Sequence, residues 1–135
     1  MADTTSSADF ADLINQRLSG FDAAMGFRIV RASAEEVVAE YEIAPQHRQP
    51  YGIIHGGVHC AIMETVCSTG AGIAAMARGQ VGVVGLENHT SFIRAMRDGT
   101  VRVTATPLTR GRRTQVWEGT ARNSDGAVSY THLTL

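Results

Sequence analysis

The sequence predicts an α+β fold: one antiparallel β-sheet wrapped around a single long, buried helix. Two observations carry this. The run Val58–Ala77 is apolar, rich in Gly, Ala, Ser, Thr and Cys, and holds one charge, Glu64. A helix so poor in charge belongs in a core. After it the chain turns to β-type patterning over Val81–Ile93, Thr100–Pro107, Thr114–Ala121 and a last segment from Ala127. Asp98-Gly99, Arg110-Gly111 and Asp125-Gly126 mark the turns. Connections this short cannot make parallel crossovers, so the strands run antiparallel.

The elements follow in order. Residues 1–8 are small and polar and are expected to be disordered. Phe10, Leu13, Ile14, Arg17 and Leu18 keep helical spacing, which Ser19-Gly20 closes. Phe27–Ala32 reads as a strand. Val37–Ile43 alternates through Val37, Ala39, Tyr41 and Ile43, as a half-buried strand should. The short Ser33–Glu36 turn makes these two a hairpin. A loop, Ala44–Ile54, carries Pro45 and Pro50 and leads into His55-Gly56-Gly57. From there a helix reaches about Ala77 and stops at Arg78-Gly79. With no repeat and no linker, residues 1–135 form one domain. One sheet on one helix leaves a sheet face or edge open, which predicts a homo-oligomer.

Composition narrows the function. The 135 residues are 44% hydrophobic and 19% charged, as expected of a globular chain with a single core. Net charge is −1, too weak a field to capture nucleic acid. All basic residues are Arg, which removes Schiff-base and P-loop lysines. Cys60 and Cys67 stand two helical turns apart, too far for a disulfide, and point to a reducing, cytoplasmic setting. The N-terminal residues have no basic or apolar export signature. Val58–Ala77, interrupted by Glu64 and two glycines, reads as a buried helix and not as a membrane span.

Chemistry concentrates at the loop-to-helix junction. Gly56 and Gly57 leave backbone amides open to close approach, and a helix starting there aims unpaired N–H groups at whatever lies in front. Such amides can stabilise an oxyanion. Glu64 lies about two turns into the helix, where a buried carboxylate must be neutral, paired or facing a cavity. Ser68 at i+4 and Cys60 at i−4 share its face. A carboxylate near helix-end amides, without metal ligands, suits acyl-transfer hydrolysis with Glu64 as nucleophile or general base.

Structural readings stand beside these. Glu64 pairing with an arginine is an even alternative. His55 as a simple helix cap and His59 as a satisfied core or interface histidine are the more frequent cases. Cys60 and Cys67 read as small core fillers. His55 and His59 at i, i+4 lack a third ligand, so no metal is assigned. The Thr109-Arg110-Gly111-Arg112-Arg113-Thr114 stretch is a solvated turn in its plain reading. In its functional reading it clamps the diphosphate of a carrier such as coenzyme A, with Arg94 and Arg97 extending it.

These residues resemble a known family. His55-Gly56-Gly57 with Glu64 nine residues after the histidine is similar to the hotdog-fold thioesterases of the PaaI / 4-hydroxybenzoyl-CoA type. Gln49-Pro50-Tyr51-Gly52-Ile53-Ile54-His55-Gly56-Gly57, Val83-Val84-Gly85-Leu86-Glu87 and Gln115-Val116-Trp117 resemble the 1,4-dihydroxy-2-naphthoyl-CoA thioesterase branch and its enterobactin-proofreading relative. The likeness spans about residues 20–126. It implies a hotdog fold and acyl-CoA thioesterase activity on an aromatic or bulky acyl group, without metal or redox cofactor. By position it makes Glu64 the catalytic carboxylate and Gly56 the amide that polarises the carbonyl. It places Gln49 on the thioester and His55 and Ser68 beside them. It also implies a dimer or dimer of dimers, such as a homotetramer, in which Glu64 and Gly56 of one site come from different subunits. The CoA-contacting region falls on Arg94, Arg112, Arg113 and Thr114.

Two departures stand out. Where the naphthoyl branch has a histidine five residues after the glutamate of Val-Val-Gly-Leu-Glu, this chain has Phe92, and its nearby histidine is His89. Both are assigned to the acyl pocket. Residues 128–135 resemble translated adapter sequence and are a candidate non-native tail; they stay outside the site, though their alternation permits a strand. Two other functions remain open: a thioesterase acting on misloaded aryl-carrier proteins, and a non-catalytic hotdog module that binds acyl-CoA or only assembles.

Overall fold

A computed structural model describes residues 8–134, with side chains through 128. The expected disorder of 1–8 therefore falls almost wholly outside the described residues. Helices α1 (Ala11–Asn15) and α2 (Gly20–Met25) come first, then strands β1 (Arg28–Ala32) and β2 (Val37–Glu42). A 3-10 turn at Pro45–His47 precedes the long helix α3 (Gly56–Met76). Strands β3 (Ser91–Phe92), β4 (Thr100–Arg110), β5 (Gln115–Asn123) and β6 (Val128–Thr134) complete the chain. One antiparallel sheet in the order β1-β2-β4-β5-β6-β3 wraps around α3, as the sequence predicts.

Alternation sets the register. Val101, Val103 and Ala105 of β4 point inward and pair with β2 at Tyr41, Ala39 and Val37, all buried. Against them α3 packs Ile62, Met63, Val66 and Cys67, each at 0% exposure. The helix approaches closely because Gly119 lies under Met63, and Gly70 of α3 lies on the ring of Trp117. A methyl at either glycine would overlap its neighbour. The Trp117 indole N–H donates to Gln115 Oε1 at 3.1 Å, and Gln115 Nε2 donates to the Ala71 carbonyl at 3.0 Å. The Gln115-Val116-Trp117 segment therefore fastens β5 to the helix. Gly99 and Gly126 take φ of +87° and +80° at the predicted turns.

Three expectations need correction. The helix read across Phe10–Leu18 is only five residues long, and a second one, α2, follows where the sequence suggested an end. Its Asp22 accepts a 2.8 Å hydrogen bond from Thr65 Oγ1, so tertiary packing on α3 holds it. The segment Val81–Ile93 pairs as a named strand only at Ser91–Phe92. It lies toward the sheet edge, and Val81, Val84 and Leu86 are exposed. Among the described residues the rest of the segment forms no named strand, so most of its β-propensity is left without a ladder within one chain.

The third correction concerns α3. It is not enclosed: Gly57 and Glu64 are exposed, and Cys60, Ala61, Ser68 and Gly72 are half-buried. These recur at three- and four-residue spacing, so one stripe of the helix faces outward along its length. By length and composition α3 could cross a membrane, but 61% of its apolar window is buried within the fold.

Candidate active site

The loop before α3 is rigidly delivered. His47 is buried; its Nδ1 accepts from the Ala44 N–H at 2.9 Å and its Nε2–H donates to the Met25 carbonyl at 2.7 Å. The His47 carbonyl accepts from the His55 N–H at 2.8 Å, and the Met96 carbonyl from the Ile54 N–H at 2.9 Å. Between them Gln49 to Gly52 turn back, with Gly52 at φ +75°. The Gln49 side-chain oxygen accepts from the Tyr51 N–H, and Arg97 Nη1 donates to the Tyr51 carbonyl at 3.0 Å.

His55 is the N-cap of α3. Its Nδ1 accepts from the Gly57 N–H at 2.8 Å, and its carbonyl accepts from the Val58 N–H at 3.0 Å. Capping, one of the two readings of this residue, is thus what the ring does here. Gly56 is the first helical residue, so its N–H has no acceptor within the helix. The Phe92 ring rests on Gly56, where an added Cβ would sit 2.9 Å from it. Gln49, Gly56, Phe92 and Arg94 line one cleft of about 410 Å³, together with His59 and Met96.

Behind this cleft lies a polar cluster. His59 is buried, with Nδ1 3.3 Å from the Tyr41 hydroxyl and its ring 6.3 Å from Phe92. Tyr41 packs edge-on against His47. Burial pushes His59 down to about 4, and nearby His47 acts in the same direction. The ordinary value, 6.5, is what the unfolded chain displays. The His59 contribution is therefore full above pH 6.5 and declines as pH falls toward 4, because only the unfolded histidine takes up the proton. Stability falls by up to about 3 kcal/mol across that window. Urea midpoints at pH 7 and pH 5 check this: His59→Gln flattens the dependence, and an unchanged slope in that variant contradicts it.

The remaining predicted residues lie elsewhere. Glu64 begins eight residues beyond Gly56 on α3, about 12 Å along the helix axis, on the open stripe with Ser68. Among the described residues Glu64 enters no ion pair, so the structural pairing with an arginine is absent there. Arg112, Arg113 and Thr114 line a separate cleft of about 200 Å³ beside the C-terminal part of α3, whose Ala71 also lines it, and there Gln80 Nε2 donates to the Arg112 carbonyl at 3.3 Å. His89 is exposed and does not line the Phe92 cleft. Its neighbour Asn88 donates from Nδ2 to the Cys60 carbonyl at 3.0 Å, which ties the segment to the open stripe. Cys60 and Cys67 are free thiols, and burial pushes Cys67 up to about 12, which suits a core filler.

One chain thus separates the helix-end amide from the carboxylate. The sequence missed His47, Tyr41 and Met96 as parts of this region. Tyr41 carried a signal in the inward phase of its strand; His47 and Met96 arrive through loop contacts that no local pattern encodes.

Known proteins share this fold. A Mycobacterium tuberculosis protein with a provisional esterase name is 38% identical over 98 residues, 72% of this chain and 70% of its own length. The solved structure of that mycobacterial protein overlays with a TM-score of 0.80 at 31% identity, covering 85% of this chain and 97% of its own. A Haemophilus influenzae thioesterase structure overlays with a TM-score of 0.82 at 28% identity, covering 92% of this chain and 87% of its own. A Staphylococcus aureus thioesterase (TM-score 0.75, 27% identity, 83% and 93% coverage) was solved in two variant forms. In one a glutamine, in the other a glutamate 15 residues later, is replaced by alanine. Residues 51–130, more than half of the chain, match the thioesterase superfamily, and the chain belongs to that superfamily.

Proposed function

We propose that this chain hydrolyses acyl-CoA thioesters carrying an aromatic or bulky acyl group, in an active centre assembled from two copies. The observation that carries the reading is Glu64: the sole charged residue of α3, exposed, and without an ion-pair partner among the described residues. An exposed, unpaired carboxylate on an otherwise uncharged helix is free to meet a substrate or a second chain. Its separation from Gly56 on one helix supports a centre in which a second chain brings the amide and the carboxylate to one carbonyl. The exposed apolar edge around Val81–Ile93 supplies a surface for that chain. Gln49 and Glu64 also stand 15 residues apart, the spacing of the two positions replaced in the staphylococcal thioesterase.

In this mechanism the Gly56 N–H donates to the thioester oxygen and stabilises the charge that develops there. Glu64 either attacks the carbonyl carbon, expelling CoA thiolate and leaving a mixed anhydride that water opens, or takes a proton from an attacking water. A thiolate leaves readily, so no strong general acid is needed. Gln49 contacts the thioester, and His55 and Ser68 stand beside it. Arg94, Arg112, Arg113 and Thr114 hold the CoA phosphates. Phe92, beside Gly56, and His89, in the segment tied to Cys60, are assigned to the end of the acyl group next to the reacting carbonyl. The three matched motifs favour the 1,4-dihydroxy-2-naphthoyl-CoA branch of the PaaI-type enzymes, in a dimer or dimer of dimers. Two free thiols suit a cytoplasmic setting. Thiol release by the parent chain and by Glu64→Gln, across aryl, branched and straight-chain acyl-CoAs, tests the proposal. Release from aryl-CoA that depends on Glu64 supports it, and its absence from every thioester refutes it.

A further inference from the structure

We infer that helix α1 forms the far wall of the acyl trough, and that Leu13 sets which acyl groups are accepted. The inference rests on the hydrolase reading above and adds a specificity-determining element to it.

A five-residue helix has no stability of its own. This one is clamped to the edge strand β1 at both ends. Asp9 Oδ1 accepts from the Ala11 N–H at 3.0 Å and from the Ala32 N–H at 2.9 Å. The Phe10 N–H donates to the Ala32 carbonyl at 2.8 Å. At the other end Asn15 makes a reciprocal pair with Ile29: its side-chain amide donates to the Ile29 carbonyl and its oxygen accepts from the Ile29 N–H, both at 2.8 Å. Backbone groups that an edge strand leaves open are thus spent on fixing α1. The Asp9 carboxyl is held below its ordinary value by those two backbone N–H donors.

The clamped helix turns Leu13 and Ile14 toward α3, with Arg17 at the edge of the same groove. Between them runs a groove of about 230 Å³, with Leu13 and Ile14 on one side and Ser68, Thr69, Gly72 and Met76 on the other. Leu13 is 45% exposed and Met76 59%. Apolar side chains left open in a fixed groove mark a place for an apolar occupant. Position names that occupant. Ser68 lines the groove and lies one turn beyond Glu64 on the same open stripe, so the groove leads away from the reacting carbonyl. The acyl body of the thioester extends along it. The volume falls below the 300–1,000 Å³ or so of pockets for drug-sized ligands, which suits one or two fused rings and not a long straight chain.

Leu13→Trp narrows the groove from an exposed position, and Leu13→Ala widens it. Both variants are compared with the parent for kcat/KM on naphthoyl-CoA and butanoyl-CoA. A non-hydrolysable naphthylmethyl thioether of CoA is titrated in parallel against CoA itself. The parent prefers naphthoyl. Leu13→Trp lowers the naphthoyl-to-butanoyl ratio at least about ten-fold and weakens the thioether in step, and Leu13→Ala shifts the ratio less. Unchanged ratios and unchanged thioether binding overturn the inference. So does a change confined to sedimentation behaviour, which would make the groove a contact with another copy. If turnover requires Glu64 while Leu13 leaves selectivity alone, the trough fails and the hydrolase reading stands. If no thioester is cleaved but thioether binding follows Leu13, the hydrolase reading fails and the trough stands.

Discussion

Glu64→Gln lowers kcat on an aryl-CoA by about a thousand-fold and leaves the thermal midpoint close to that of the parent. Glutamine keeps the size and hydrogen-bonding reach of the side chain but can neither attack a thioester nor accept a proton from water. The two halves of the prediction are linked. Glu64 is exposed and unpaired among the described residues, so its charge contributes little to the fold. Had it been locked to an arginine in the core, the same substitution would have left a buried cation alone and cost several kcal/mol. Loss of turnover with the fold retained therefore separates a chemical role from a structural one. Steady-state kinetics and a melting curve on one preparation suffice.

Gly70→Ala destabilises the protein by about 2–3 kcal/mol, even though alanine in a helix interior is favoured over glycine by about 1 kcal/mol. The sign is decided by Trp117. Its ring is fully buried against Gly70, and a methyl there overlaps it. The ring cannot swing aside cheaply, because its N–H is bonded to Gln115 and Gln115 to the Ala71 carbonyl. Helix and sheet must separate instead. Trp117→Phe frees space at the same spot, so the double variant loses less than the sum of the two singles. Urea unfolding of the four chains measures this, and an additive or stabilising Gly70→Ala contradicts the packing.

Local chemistry made much of this fold legible. The turn glycines at 99 and 126, the His55-Gly56-Gly57 helix start and the inward phase of Val101 and Val103 are short-range signals that the structure honours. Non-local physics hid the rest. Helix α2 depends on Asp22 meeting Thr65, a contact across 43 residues. Val81–Ile93 has the composition of a strand, but pairing needs a neighbour, and among the described residues a named strand forms in it only at Ser91–Phe92. The small residues of α3 announced close approach without saying to what. One side of the helix meets the sheet, and the stripe holding Gly57, Glu64 and Gly72 meets none of it, so Glu64 is exposed where burial was expected. For the site, residue types were readable and their grouping was not. Gln49, Gly56, Phe92 and Arg94 converge in one cleft, whereas the Arg112 turn and Glu64 lie apart.

Mixing two inactive chains tests most directly whether amide and carboxylate come from different copies. Gly56→Pro removes the N–H at a first helical position that accepts proline, and His55 already holds the extended ψ of 131° that proline requires before it. The added Cβ crowds the Phe92 ring, which is exposed and turns aside, and a melting curve of the variant checks that the fold is kept. Unfolded together with Glu64→Gln and refolded at equal amounts, half of the dimers pair unlike chains, and one of the two sites in each keeps both intact groups. Activity returns to about a quarter of the parent value. If a single chain supplied both groups, every site would stay defective, and a mixture no more active than its separate components would contradict the two-chain centre.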